Sequence, residues 1–315
     1  MLKQAHAPVS LQQAMRIGER AAFHSAPLDG VHVLRGLLRH RPAARLAWWL
    51  GVCLGASGRY GDAIEVLTPL AHPEQTRALP PDDACVASLA SSTLGSLYRQ
   101  LRRYDEARIL DGQAVELVAA LPPGVALVDA RLGLAADAVG QGDLSRAQVE
   151  LATAIRSLPS GSGGWRVRAR AGWVRAEVAL LQGDAPTALI AARESVRLAR
   201  AARAPRHEAK GLLFAAVAAA ASPSRADRRG EAVDVALDSM RLSVRLGAWP
   251  LVWPAAIVLS DLPEAAQRMS GPEEALALGV HATDVISAAL PGPLAAEWRA
   301  GADVQRLLQR ASVVH

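Results

Sequence analysis

Three pairs of basic residues stand four apart in one stretch of the chain: Arg166 with Arg170, Arg193 with Arg197, and Arg206 with Lys210. Residues at that spacing share a face of a helix, so each pair sets two positive charges side by side. Guanidinium groups hold carboxylates and phosphates through paired N–H donors. The chemistry implied is recognition of an acidic group, not bond making. Residues 166–229 carry 13 basic and 5 acidic side chains. Arg166, Arg193, Arg197, Arg200, Arg206 and Lys210 are the expected basic strip. An acidic peptide or protein suits this strip better than nucleic acid. Trp165 and Trp173 are the aromatics in it, and no DNA-reading motif accompanies them. A plain solvated arginine face competes with both. Only Lys3 and Lys210 among the 35 basic residues are lysine, a skew that fits the codon usage of a GC-rich bacterial genome. The net charge of +5 and the pI near 9.8 are therefore weak arguments for a nucleic-acid partner.

Other chemistries find no motif. The glycine-rich "PSGSGG" (159–164) lacks the lysine and hydroxyl of a phosphate-binding loop and reads as a linker. There is no dinucleotide-binding glycine pattern and no HExxH. His24, His32 and His40 recur eight apart, but Gly30 and its neighbours break a common helix. Cys53 and Cys85 fit no metal spacing and read as free thiols in a reducing compartment. Asp82 and Asp83 follow Pro80–Pro81 and read as helix-start residues. No catalytic residue, cofactor or metal site is expected. The longest apolar run, Leu212–Ala221, has ten residues, half of the roughly 20 that a membrane span needs. The N-terminus lacks the apolar core of a signal peptide. A soluble, cytoplasmic protein is the expectation.

The elements that must carry these residues are helical. Alanine and leucine dominate and aromatics make up 4%, a mixture that favours helices over strands. A short turn followed by alanine recurs six times, with the alanine at 63, 107, 147, 188, 232 and 275, at intervals of 40 to 44. Each turn has the same parts. A glycine or polar residue stops one helix, and an acid, serine or proline opens the next. The alanine then sits where two antiparallel helices cross closely. Gly58, Gly142 and Gly183 are the expected helix stops, and Asp143 and Asp184 the expected N-caps. Gly51, Gly95, Ala135 and Ala176, each twelve before its alanine, are the small residues of the facing helix. A period this regular is the mark of a helical array.

"LGSLYRQLRRYDEARILDGQA" (94–114) resembles the tetratricopeptide repeat, through Leu94, Gly95, Tyr98, Tyr104, Ala107 and Ala114. "LGVCLGASGRYGDAIEVL" (50–67) repeats the pattern, and the likeness fades in the last two units, where "ASPSRADRRG" (221–230) reads as an inserted loop. The period exceeds that family's, and is similar to the degenerate repeats in sensor regions of bacterial regulators of the LuxR and maltose-regulator type. The resemblance implies an all-α, right-handed superhelical solenoid. It would have N-terminal capping helices at 1–41, about six hairpins over 42–290 and one C-terminal capping helix at 291–315. It further implies non-catalytic binding of a protein or peptide in a concave groove lined by the first helix of each hairpin. The groove residues it implies are Arg45, Trp48, Trp49 and Val52, then Ser92, Thr93, Ser96, Arg99 and Gln100. They continue with Asp129 and Leu132, and with Arg170, Trp173 and Glu177. Of Trp48 and Trp49, one is expected in the core and one in the groove. The alternative partner is a nucleic acid or small ligand on the basic strip. A homodimer through the end units, using Trp249, Trp253 and the Val313–Val314 tail, is a further expectation.

Overall fold

The computed structural model describes residues 10–72, 79–158, 164–222, 226–267 and 272–313. Among them are sixteen α-helices and no strand. Two helices open the chain, α1 (Leu11–His24) and α2 (Pro27–His40). Six antiparallel hairpins follow: α3 (Ala44–Ala56) with α4 (Tyr60–Ala71), α5 (Pro81–Gln100) with α6 (Tyr104–Leu117), and α7 (Val125–Gly140) with α8 (Leu144–Arg156). The other three are α9 (Trp165–Leu181) with α10 (Ala185–Ala201), α11 (Pro205–Ala220) with α12 (Ala226–Leu246), and α13 (Trp249–Ser260) with α14 (Pro272–Ala288). The chain ends in α15 (Gly292–Ala300) and α16 (Ala302–Val313). The last two correct an expectation: the C-terminal cap is two short helices, because Gly301 breaks the run. The glycine-rich linker at 159–163 and Val314 of the expected tail lie outside the described residues.

All six repeat alanines are buried, five at 0% exposure and Ala275 at 1%. They stand where second helices cross first ones, and a larger side chain would force the pair apart. The helix stops share one mechanism. Gly58, Arg102, Gly142, Gly183, Arg203 and Gly247 all adopt positive φ, between 53° and 87°. The amide after each reaches back five residues to a carbonyl at 2.8–2.9 Å, as in Arg103 to Tyr98 and Asp184 to Ala179. This left-handed turn satisfies the orphan carbonyls of a helix end. Asp143 and Asp184 then cap the next helix, accepting from the amides of Arg146 and Thr187 at 3.0 Å. The fifth turn departs from the expectation. "DRRGEA" is not a turn but the start of α12, and the reversal lies before Ala226. The long period comes chiefly from long helices, with 20 residues in α5 and 21 in α12.

The array curls until its ends meet. At one end Phe23 of α1 lies 6.0 Å from the His207 ring on α11, and His24 Nδ1 is 3.3 Å from the Arg203 carbonyl. At the other, the Gly61 amide donates to the Ala289 carbonyl at 2.9 Å, and Arg102 pairs with Asp303. Trp253 packs edge-on against Trp298 at 5.4 Å, and Trp249 against His281 at 4.7 Å. The tryptophans expected to serve a homodimer are thus used within the chain. No described helix is long and apolar enough to cross a membrane.

Arg102 and Arg203 hold a left-handed conformation that costs an L side chain roughly 1–2 kcal/mol. Arg203 is exposed, and its contact to His24 uses a backbone carbonyl. Arg203→Gly keeps that contact and relieves the strain. It should raise stability by about 0.5–1 kcal/mol after the added freedom of the unfolded chain is subtracted. Urea denaturation measures this.

Candidate binding site

The curl frames a partly open cavity of about 130 Å³ whose walls come from α1 and from the first helix of all six hairpins. It gathers Trp48 and Val52 from α3, Ser92, Thr93, Ser96 and Gln100 from α5, and Asp129 from α7. Arg166, Arg170 and Trp173 come from α9, and Arg206, His207 and Lys210 from α11. Residues far apart in sequence therefore meet because the same helix of each hairpin faces inward. A second cavity of about 290 Å³ adjoins it. Phe23, Trp48 and Arg166 border both, and Arg45, Trp49 and Cys85 line the second alone.

Not every expected groove residue is free. Trp48 and Trp49 are both buried, at 4% and 5% exposure, so neither is an open groove platform. Trp48 donates its indole N–H to Thr93 Oγ1 at 2.9 Å. Leu132 is fully buried in the core with Val128 and Ala135. Arg99 is inside as well, paired with Asp111 at 3.2 Å and with Asp137. Glu177 is half-buried on α9. The basic strip splits in two. Arg193, Arg197 and Arg200 lie on α10, exposed and paired with Glu231, Glu194 and Glu208. Arg166, Arg206 and Lys210 face the cavity from α9 and α11. Each i, i+4 pair sits on one helix, but the two halves do not form one surface.

Burial sets the electrostatics. Removal from water alone would raise the Asp129 carboxyl, but Arg166 at 2.8 Å and Arg170 beside it hold it below the usual range. Arg206 has no such partner. Burial depresses its guanidinium, and Arg166 adds to that; only the Cys53 thiol opposes. That thiol is itself pushed up to about 12 by burial, so it stays neutral. The Arg206 Nε is sealed from solvent with nothing to donate to. Burial, with Arg206 and other cations nearby, drives His207 well below its ordinary value, so it is neutral. His207 stacks on Trp173 at 5.4 Å and meets Trp165 edge-on at 5.0 Å. Lys210 Nζ lies 4.7 Å from the centre of the Trp173 ring, a cation–π contact. Burial pushes Lys210 down to about 8, against the pull of Glu177. Trp173 Nε1 and His207 Nδ1 are also buried without partners.

Beneath the cavity lies a cluster that the sequence reading passed over. Asp111 of α6 and Asp137 of α7 are fully buried and share Arg99, which also donates to the Gly133 carbonyl at 3.2 Å. Gly95 and Gly133 leave the space that the Asp111 carboxylate occupies; a Cβ at either would strike it. Burial pushes Asp111 up to about 7, with Arg99 opposing and Asp137 adding to the rise. Burial raises Asp137 too. Asp111 Oδ1 and Asp137 Oδ2 have no donor, yet the two carboxyl groups are within hydrogen-bonding reach of each other. A proton on Asp111 would let that carboxyl donate to Asp137 and satisfy both.

No family model and no curated protein matches the chain. Among solved structures, aspartyl phosphate phosphatase F from Bacillus subtilis aligns over 98% of this chain and 84% of its own, at 10% identity and a TM-score of 0.49. Yeast Tom70 aligns over 99% and 66%, at 12% identity and a TM-score of 0.45. Likenesses this distant carry neither name to this chain, and the all-helical class rests on its own sixteen helices.

The carboxyl pair makes stability depend on pH with a definite sign. A raised native pKa means that the folded state holds a proton the unfolded chain has lost. The stabilisation is therefore present below about 4 and is lost as pH climbs toward about 7. Asp111→Asn removes that loss. Melting temperatures from pH 5 to 8 should fall less in the variant than in the parent chain.

Proposed function

We propose that the chain is a non-catalytic, tetratricopeptide-like binding scaffold whose inner cavity receives an acidic group presented by a protein or peptide partner. One observation carries this reading: four cations, Arg166, Arg170, Arg206 and Lys210, line the cavity with a single carboxylate, Asp129. Asp129 is already engaged by two of them. Arg206 and Lys210 remain to meet an incoming anion, in surroundings where water is scarce and charge-assisted bonds are strong.

The small-ligand reading has an observation of its own. The ends of the array touch, and a cavity of about 130 Å³ suits one side chain or one small molecule better than the length of a peptide. A nucleic-acid duplex cannot enter it. The exposed arginines that such a duplex would meet on α10 are spent on Glu194, Glu208 and Glu231.

Affinity capture from nuclease-treated lysate, with mass spectrometry, tests the proposal when the chain is compared with two variants. Lys210→Met should lose the captured protein, by about tenfold or more for a desolvated charge pair. Arg197→Ala, on the outside of α10, should keep it. Circular dichroism confirms that both variants fold. Capture that depends on Arg197 and not on Lys210, or that vanishes with nuclease, overturns the inner-cavity reading.

A further inference from the structure

The orphaned donors and the charge balance of the interior say more about the acidic group. Buried polar atoms without partners each cost about 1–3 kcal/mol, and native folds keep few of them. Here four belong to lining residues of one cavity, Ser92 Oγ among them, and the other three are nitrogens: Arg206 Nε, Trp173 Nε1 and His207 Nδ1. The first two can only donate, and neutral His207 donates from Nδ1 in one of its tautomers. They come from two adjoining helices, α9 and α11. The side chains are layered, with Lys210 over the Trp173 ring and His207 stacked on it. All three nitrogens are closed to water as the chain stands, so an entering acceptor pairs with them only as the side chains around it shift.

The charges point the same way. Five cations occupy the interior: Arg99, Arg166, Arg170, Arg206 and Lys210. Four carboxyl groups face them: Asp111, Asp129, Asp137 and Glu177. With all four carboxylates ionised the interior is still one negative charge short, and a proton held by the Asp111–Asp137 pair below about pH 7 makes it two short. A lone carboxylate supplies one; a phosphoryl or sulfuryl group supplies up to two and offers three or more acceptor oxygens.

We propose that this cavity is a site for a single dianionic tetrahedral oxyanion, a phosphoryl group or its sulfuryl analogue. It is held by the Arg206 guanidinium, the Lys210 ammonium and the Trp173 indole N–H. The proposal rests on the reading that the cavity takes an acidic group and names which kind. The group enters either as a free oxyanion or as the head of a larger ligand, and both present the same chemistry.

The test uses the full chain at pH 7.5 and constant ionic strength. Titration calorimetry is run with sodium sulfate, sodium phosphate and sodium acetate. A phosphoserine peptide is run beside the same peptide carrying glutamate. The ¹H–¹⁵N spectrum of the tryptophan indoles, with the Trp173 signal assigned from Trp173→Phe, reports where binding occurs. Sulfate and phosphate should bind and displace the Trp173 signal, and acetate should do neither. Arg206→Gln and, independently, Lys210→Met should each weaken oxyanion binding about tenfold or more. Either variant suffices if the other fails to fold. Binding of both the free oxyanions and the phosphopeptide marks a head-group site; binding of the free oxyanions alone marks a small-molecule site. Both support the proposal. Binding of acetate and the glutamate peptide without sulfate or phosphate overturns the dianion inference and leaves the acidic-partner reading standing. If no anion or acidic peptide binds, both fall. Oxyanion binding that neither moves Trp173 nor responds to Arg206→Gln or Lys210→Met places an adventitious ion elsewhere and overturns the proposal.

Discussion

The cost of keeping charges away from water governs the interior. Arg99, Arg166 and Arg170 are each held by buried carboxylates, and the helices that bring them together are spaced to allow it. Removing one partner of such a pair strands the other, at a cost of roughly 3–5 kcal/mol. The network therefore fixes the relative placement of α5, α6, α7 and α9, each of which contributes a charge. Gly95 and Gly133 belong to the same constraint. They are not hinges; they are the positions where a side chain would occupy the space of the Asp111 carboxylate.

That constraint acts because the array closes. An open solenoid leaves its concave face wet, and charges there need no partner. Here α1 reaches α11 and the C-terminal helices reach the first hairpins, so the inner face becomes a wall. Phe23, Trp48, Trp165 and His207 pack within this enclosure. The low effective dielectric that results strengthens every pair and leaves Arg206 as the charge without a carboxylate among its perturbing neighbours.

The fold was largely legible because its signals are local. Gly58, Gly142 and Gly183 stop helices by the left-handed turn that glycine adopts freely, and Asp143 and Asp184 cap the helices that follow. The six alanines repeat the same crossing. "DRRGEA" misled because it shares its last residues with true turns, while a polar helical turn fits the same letters. The start of α12 is set by where its apolar face meets α11, and that is not a local property. The site was legible by half. First-helix residues were expected to share an inner face, and most of those named line one cavity. Spacing shows that Arg193 and Arg197 share a face, but not that α10 turns that face outward. The sequence does hold that information: Ala188, Ala192, Ser195 and Ala199 take the buried row of α10 and leave the arginines the other side. Asp111 carried a similar signal, an acid in the buried row of Ala107, Leu110 and Ala114. Closure itself was not legible, because it rests on Phe23 meeting His207 and Gly61 meeting Ala289, each across more than half of the chain.

Closure also changes what kind of recognition the scaffold supports. A concave groove spreads recognition along a peptide, with many weak contacts and modest selectivity at each. A small, partly open cavity concentrates it on one group, which must match in charge, size and hydrogen bonds together. Unsatisfied buried donors make such a site selective, because a ligand that leaves them unpaired forfeits the desolvation they have already undergone. The price is access. The walls include Phe23 of α1, whose contacts to α11 are aromatic packing and one side-chain-to-carbonyl contact from His24, with no ion pair across that junction among the described residues. The opposite junction is tied by a backbone hydrogen bond and the Arg102–Asp303 pair. The weaker seam is therefore the one beside the unpartnered cation, and a ligand large enough to need an opening meets least resistance there.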